Sequence, residues 1–217
     1  VQINQAQREL SLKVVYYGPA LSGKTTNLMA LHERVASEVR GRLLTVDTKD
    51  DRTLFFDMLP VHFRSASDLK VKIKLYTVPG QVMHASTRRL VLQGADAVVF
   101  VADAQRSATQ TNNDAWRSMI EDMHANNLDP ASIPLVIQFN KLDLPDAKTE
   151  AEIAEVARKG REPVYGAVAV RGEGVVETLY GLLQLTFRDL ERRFGIRTKF
   201  RIEEAEFLDS IFRNVDV

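Results

Sequence analysis

The chain has 217 residues, and its 29 lysines and arginines balance its 29 aspartates and glutamates. Zero net charge argues against a general nucleic-acid binder, because such a protein depends on a basic surface. The chain contains no cysteine, which excludes disulfides, thiolate metal sites and the lipid groups that attach to cysteine. The longest apolar run, residues 95–104, is too short to span a bilayer, and the first residues have no secretory signal core. A cytoplasmic protein without a direct lipid anchor is expected.

Strand-like and helix-like segments alternate along most of the chain. Strands are predicted at 12–17, 43–47, 71–77, 97–102, 135–139 and 164–168, and helices at 25–38, 82–92, 109–124, 150–159 and 175–192. Several strands are apolar throughout, which is typical of parallel strands covered by helices on both faces. The order predicts a three-layer α/β fold with about six mostly parallel strands between helices. In such sheets a ligand binds beyond the carboxyl ends of the strands.

A phosphate-binding pattern lies between the first predicted strand and the first predicted helix. Gly18, Gly23, Lys24 and Thr25 fit the spacing of Gly, four residues, Gly, Lys and Ser/Thr. The glycines let backbone N–H groups approach an anion, Lys24 can reach the β- and γ-phosphates, and the Thr25 hydroxyl can bind Mg²⁺. The expected nucleotide contacts in this loop are Gly18, Ala20, Leu21, Ser22, Gly23, Lys24, Thr25 and Thr26. A glycine-rich turn that binds nothing is the alternative, but such a turn has no need of Lys24 and Thr25.

A second polar motif directly follows the strand predicted at 135–139. It contains Asn140, Lys141 and Asp143. The Asp143 carboxylate can accept two hydrogen bonds, from N1–H and the 2-amino group of guanine, a donor pair that adenine lacks. Asn140 can brace the phosphate loop, and the Lys141 stem can lie over the base. A polar turn after a buried strand is the alternative, and the phosphate-loop pattern upstream disfavours it.

With these motifs the chain resembles the Ras-like small GTPases, and among them the MglA-type bacterial GTPases that control cell polarity and motility. The resemblance covers about residues 8–192, and the segments that carry it are 14–28, 51–57, 75–81, 98–103 and 140–143. It implies the P-loop NTPase fold of the small-GTPase kind. It also implies GTP and GDP as ligands, Mg²⁺ as cofactor and slow intrinsic hydrolysis.

The resemblance implies that residues 49–57 form the first switch. Thr53 would bind Mg²⁺ and the γ-phosphate when GTP is present. Arg52 would supply an arginine finger from within the same chain, stabilising charge that develops at the β–γ bridge. From spacing alone, Arg52 is better explained as a surface residue paired with Asp50 or Asp51, and the resemblance reverses that preference.

Residues 77–81 resemble the second switch. Gly80 can offer its backbone N–H to the γ-phosphate, and Gln81 stands where Ras-like enzymes place the glutamine that orients the attacking water. Thr77 departs from the wider superfamily, which has an aspartate there as an outer-sphere partner of Mg²⁺. The MglA-type group resembles this chain in having threonine, and Asp47 is a candidate to compensate.

A loop flanking guanine is expected after the strand predicted at 164–168. Ras-like proteins have Ser-Ala-Lys there, whereas this chain has Val168, Ala169 and Val170. The backbone N–H groups, notably that of Ala169, can still meet guanine O6. The missing Ser and Lys make this the least supported of the nucleotide contacts.

Two apolar segments each have two interpretations. Phe55, Phe56, Met58 and Leu59, beside the first switch, indicate either a buried edge strand or a partner surface exposed in one nucleotide state. The chain is expected to divide into a GTPase domain at 1–195 and a C-terminal extension at 196–217. Within the extension, residues 203–212 predict a short amphipathic helix, with an apolar stripe at positions 207, 208, 211 and 212. The stripe packs back on the domain in one interpretation and docks a partner or a second copy in the other.

Together these features indicate a GTP-binding switch that hydrolyses GTP through Gln81 and Arg52. The resemblance implies a roadblock-fold homodimer as activator, effectors of polarity or motility that read the GTP state, and recruitment to a cell pole by such partners. One alternative is a nucleotide-locked scaffold with negligible hydrolysis, which Thr77 favours. The other is a metabolic phosphoryl-transfer enzyme, which the guanine motif disfavours.

Overall fold

Within residues 1–46, 56–79 and 85–213, which the computed structural model describes, eight strands form one sheet. The strands are β1 (Gln2–Asn4), β2 (Glu9–Tyr17), β3 (Leu44–Val46), β4 (Phe56–Arg64), β5 (Lys70–Thr77), β6 (Ala97–Asp103), β7 (Leu135–Asn140) and β8 (Val164–Ala167). Their spatial order is β3-β4-β5-β2-β6-β7-β8, with β1 added to β2. The predicted α/β fold with a mostly parallel sheet is confirmed, with eight strands in the described residues rather than about six.

The parallel strands end at a common edge of the sheet. Pairs β2–β5, β2–β6, β6–β7 and β7–β8 are parallel, whereas β1, β3 and β4 pair antiparallel. Tyr16 lies opposite Thr77, and Asn140 lies opposite both Asp103 and Ala167. This edge is where α/β sheets bind ligands.

Seven helices are present in the same part of the chain. They are α1 (Lys24–Arg34), α2 (Ala85–Leu92), α3 (Thr109–Ala125), α4 (Glu150–Lys159), α5 (Val175–Phe194), α6 (Ile196–Phe200) and α7 (Glu204–Phe212). Helix α4 matches its prediction residue for residue, because Thr149 and Glu152 form a capping box at its start. Helix α1 ends at Arg34 rather than at residue 38, because Val35 is extended and its side chain is buried. None of these helices is long and apolar enough to cross a membrane.

Strand β4 is not among the strands predicted from periodicity, although a buried edge strand is one interpretation of its first residues. Its buried side chains alternate at Asp57, Leu59, Val61 and Phe63, as expected for a half-buried strand. Pro60 interrupts that pattern, because proline cannot donate to a strand ladder and normally marks an edge. Pro60 lies past the residues of β4 that pair with the short β3. There its carbonyl oxygen accepts a hydrogen bond from the Gly41 amide at 2.8 Å.

The apolar segment at 55–59 thus lies mainly inside the sheet. Leu59 is buried, and Phe56 and Met58 are half-buried between β3 and β5. Phe55 lies outside the described residues. The strand interpretation therefore holds for the described members, with β4 an internal strand rather than an edge.

Two hydrophobic cores cover the two faces of the sheet. The first core lies under α1, α5, α6 and α7, and the second lies under α2, α3 and α4. Strand β2 contributes side chains to both cores, because Val14 and Tyr16 point into the first core while Val15 and Tyr17 point into the second.

The apolar stripe of α7 packs back on the domain, as one of the two interpretations expects. Its four residues, Phe207, Leu208, Ile211 and Phe212, are buried in the first core. The Phe207 ring lies 5.7 Å from that of Phe63 in β4 and 5.4 Å from that of Phe187 in α5. The division of the chain at residue 195 stays a prediction.

Candidate nucleotide-binding site

The phosphate loop lies between β2 and α1 and is shaped by two close approaches. A Cβ on Gly18 would lie 2.2 Å from the Val101 carbonyl oxygen, and one on Gly23 would lie 2.1 Å from Asn140 Nδ2. Both glycines also have left-handed φ angles, of 149° and 98°. Only glycine fits both positions, since any side chain would push the loop away from β6 and β7.

The remaining loop residues differ in exposure. Ser22 is buried, Thr26 is half-buried, and Ala20 and Thr25 are exposed. Leu21 is 89% exposed and holds a left-handed φ of 61°. Ala20, Leu21 and Thr25 are therefore the members of this set that face solvent.

Lys24 is buried, and its hydrogen-bond partners among the described residues are carbonyl oxygens. It is 7% exposed, and its Nζ donates to the carbonyl oxygens of Gly18 at 3.0 Å and Pro19 at 2.6 Å. Burial, assisted by the charge of Arg88 and opposed by Asp57, lowers the pKa of the Lys24 ammonium to about 7. A phosphate beside Nζ would offset this desolvation, so the site fits an anion.

A carboxylate stands beside Thr25. Asp57 of β4 accepts hydrogen bonds from the hydroxyls of Thr25 at 2.6 Å, Thr45 at 2.9 Å and Thr77 at 3.1 Å. The Asp57 amide also donates to Thr77 Oγ1 at 2.8 Å. Hydroxyl and carboxylate oxygens are the donors that Mg²⁺ prefers, so Thr25 and Asp57 fit this ion.

Asp57 is the site residue to which sequence reasoning assigned no role. It falls in the first-switch segment, but its contact with Thr25 depends on the pairing of β4 with β5, which local motifs do not predict. The alternation of buried side chains along β4 is the signal that could have found it. Asp47, the candidate to compensate for Thr77, lies outside the described residues.

The base side of the site is held by Asn140 at the end of β7. Its Nδ2 donates to the Ser22 carbonyl at 2.8 Å, and its Oδ1 accepts from the Ala169 amide at 2.9 Å. Asn140 thus ties the phosphate loop to the loop after β8. The Ala169 N–H already donates to Asn140. Its expected contact with guanine O6 therefore requires that Asn140 Oδ1 and guanine O6 share this N–H.

Lys141 and Asp143 are both oriented by ion pairs. The Lys141 Nζ lies 2.6 Å from Asp103 Oδ2 at the end of β6. The Asp143 carboxylate, with 22% of its side chain exposed, lies 3.9 Å from Arg171 Nη2. A carboxylate in this position can accept two hydrogen bonds from guanine.

One pocket of about 180 Å³ brings part of the phosphate loop together with the base-side residues. It is lined by Leu21, Gly23, Thr26, Asn140, Lys141, Asp143, Leu144, Ala169 and Val170. The predicted residues Arg52, Thr53, Gly80 and Gln81 lie outside the described residues. The described residue nearest in the chain to Arg52 and Thr53 is Phe56, in the strand that carries Asp57. The one nearest to Gly80 and Gln81 is Pro79, which follows the strand that carries Thr77.

Across residues 1–46, 56–79 and 85–213, no group of three or more His, Asp or Glu side chains could hold a metal ion.

Comparison with known proteins now decides the family, since residues 2–186 match the ADP-ribosylation factor (Arf) family. The chain belongs to the Arf family. The mutual gliding-motility protein MglA of Myxococcus xanthus is 42% identical over 190 residues, which are 88% of this chain and 97% of that protein. The predicted resemblance to Ras-like small GTPases of the MglA type is thereby confirmed. Helices α6 and α7 lie beyond the part that matches the family.

Two other relatives share part of the chain. GTPase Der of Halorhodospira halophila is 35% identical over 106 residues, which are 49% of this chain and 20% of Der. GTPase Obg of Syntrophomonas wolfei is 28% identical over 119 residues, which are 50% of this chain and 28% of Obg. Both are GTPases by name, which agrees with the guanine motif at residues 140–143.

Proposed function

We propose that the protein is a molecular switch that binds GTP and hydrolyses it to GDP and phosphate. The observation that carries this proposal is the single pocket in which the phosphate loop meets Asn140, Lys141 and Asp143. The carboxylate of Asp143 selects guanine, and the buried ammonium of Lys24 attracts the phosphates.

The phosphate side of the site would stabilise the charge that develops during hydrolysis. Water attacks the γ-phosphorus, the bond from that phosphorus to the bridging oxygen breaks, and GDP leaves with that oxygen. Lys24 and the amides of the loop bind the negative charge, and Arg52 adds a guanidinium at the bridge. Gln81 orients the water, and Gly80 binds the γ-phosphate through its backbone N–H.

Thr25, Thr53 and Asp57 would hold Mg²⁺ at the phosphates. The ion, when bound, neutralises phosphate charge. Asp57 supplies, from β4, the carboxylate that the wider superfamily places at the position of Thr77. We propose that Asp57 acts through water molecules, because Mg²⁺ usually keeps several of them.

State-dependent partners would read this switch. GTP would order residues 49–57 and 77–81, and loss of the γ-phosphate would release them. We propose a roadblock-fold homodimer as activator and effectors of polarity or motility, recruited with the protein to a cell pole. The similarity to a gliding-motility protein supports this process.

A nucleotide-locked scaffold is the second candidate function. Thr77 favours it, because a site without the usual aspartate binds its metal less well. Asp57 weakens that argument, since its carboxylate lies 2.6 Å from the Thr25 hydroxyl.

Phosphate release after a single turnover of GTP tests the choice between the two functions. We expect slow release from the parent protein. Gln81→Ala and Arg52→Ala should each slow it by at least about a hundredfold, because each removes a group used in the transition state. GDP affinity should stay near that of the parent.

The matched control is Arg42→Ala, which removes an exposed arginine before β3. It should keep the parent rate. No phosphate release from the parent, with or without a roadblock-fold partner, would establish the scaffold function instead.

A further inference from the structure

A buried polar cluster lies in the second core beside the phosphate loop. Tyr17, the last residue of β2, is 1% exposed and directly precedes Gly18. Arg88 of α2 is 7% exposed, and Asp122 of α3 is 2% exposed. One strand and two helices thus each place a polar or charged side chain in a layer that is otherwise apolar.

These three side chains form a continuous hydrogen-bonded chain. Arg88 Nε donates to the Tyr17 hydroxyl oxygen at 2.8 Å, and that hydroxyl donates to Asp122 Oδ2 at 2.8 Å. Arg88 Nε also lies 3.3 Å from the same carboxylate oxygen. Burial raises the pKa of Tyr17, so the hydroxyl keeps its proton and remains a donor.

Packing alone gives no reason for this cluster. Burying an arginine and an aspartate carries a desolvation cost that apolar side chains of similar volume would avoid. Apolar contacts already join these elements, because Val91 and Leu92 of α2 pack with Met119 and Met123 of α3 in the second core. Unlike the apolar contacts, the hydrogen bonds are directional, and they fix the orientation of the Arg88 side chain relative to β2.

The position of the cluster in the chain indicates its use. Tyr17 is covalently joined to the phosphate loop at Gly18. Helix α2 begins at Ala85, directly after residues 80–84, which include Gln81. The cluster therefore connects the start of the phosphate loop with the helix that follows the second-switch residues.

We propose that Arg88 is a positioning residue for GTP hydrolysis, which fixes helix α2 relative to the phosphate loop through Tyr17 and Asp122. This inference rests on the proposed GTPase function. Arg88 acts through α2 and Gln81, so its removal should slow the chemical step more than it weakens GDP binding.

Two conservative variants test the proposal. Tyr17→Phe keeps the ring and removes the hydroxyl, whereas Arg88→Lys keeps the charge and removes the Nε donor. We expect each to slow single-turnover GTP hydrolysis by about tenfold or more, because misplacement of a reacting group by about 1 Å is that costly. Both should bind GDP within about threefold of the parent, because the base pocket is unchanged.

Arg117→Lys is the matched control, on α3 and with the same change of side chain. The Arg117 side chain is 72% exposed, and its Nη1 lies 3.5 Å from the exposed Asp114 carboxylate rather than in the cluster. This variant should hydrolyse GTP within about twofold of the parent, as expected for a surface substitution. Thermal unfolding of all three variants shows that the proteins compared are folded.

The outcomes separate this inference from the function on which it rests. Parent rates in Tyr17→Phe and Arg88→Lys would overturn the positioning role while leaving the GTPase intact. An equal loss of GDP affinity and of hydrolysis rate would also overturn the positioning role, because that result indicates a structural role only. A parent protein without GTP turnover would refute the proposed function, and the positioning role with it.

Discussion

On the base side of the pocket, Asn140 and Lys141 are held at the ends of parallel strands, whereas the phosphate side gathers Thr25, Asp57 and Thr77 from α1, β4 and β5. Asn140 bonds to the backbone of two loops, and Lys141 pairs with the end of the neighbouring strand β6. The base side is therefore held by the parallel strands β6, β7 and β8 and the loops that follow them.

The phosphate side has a different construction. Its carboxylate, Asp57, lies on an antiparallel strand that begins at Phe56, within the predicted first switch at residues 49–57. Three hydroxyl groups hold that carboxylate, and no cation is among these partners. We expect the base side to set which nucleotide binds and the phosphate side to respond to its state.

The largest effect should come from the base side. Asp143→Asn replaces one acceptor by an N–H₂ donor that faces the 2-amino group of guanine and leaves it unpaired. GTP affinity should fall by about a thousandfold or more, because a site built for specific hydrogen bonds rejects ligands that leave them unmade. Xanthosine triphosphate, which has a 2-oxo acceptor, should bind the variant better than GTP. Competition binding with a fluorescent nucleotide measures both affinities.

Asp146→Asn is the matched control for this variant. It makes the same change three residues further along, where the Asp146 carboxylate accepts the Ser107 amide at 3.0 Å. Guanine preference should be unchanged. A similar loss of GTP in both variants would show that Asp143 is not the residue that reads the base.

A smaller effect should come from the phosphate side. Asp57→Asn keeps the shape of the side chain but removes its charge beside Thr25. The Mg²⁺ concentration that half-saturates GTP hydrolysis should rise by about ten- to a hundredfold, as is usual when an outer partner of a metal site is lost. Titration with Mg²⁺ at saturating GTP measures it.

Asp68→Asn, on the exposed turn between β4 and β5, controls for the loss of one negative charge. It should leave the Mg²⁺ requirement unchanged. The same requirement in Asp57→Asn and in the parent would show that the carboxylate of β4 has no part in metal binding.

The two sides also differ in how far the sequence predicts them. Asn140, Lys141 and Asp143 follow a buried strand within four residues, so a local motif is enough to place them. The bond from Thr25 to Asp57 spans 32 positions and depends on β4, whose pattern Pro60 interrupts. Local periodicity therefore predicts most strands and helices but not this contact.

The cluster of Tyr17, Arg88 and Asp122 escapes sequence reasoning for the same reason. Its members are up to 105 positions apart, and each reads locally as an ordinary residue of a strand or a helix. Helix α6 is missed on different grounds, because five residues are too few for a helical period to be recognised.

The central claim is that the pocket between the phosphate loop and Asp143 holds a guanine nucleotide. The most direct test is to denature the purified protein and identify the released nucleotide by chromatography. We predict GDP or GTP, close to one per chain, and loss of that nucleotide in Asp143→Asn but not in Asp146→Asn. An adenine nucleotide in the parent extract would contradict the role of Asp143 and the proposed switch.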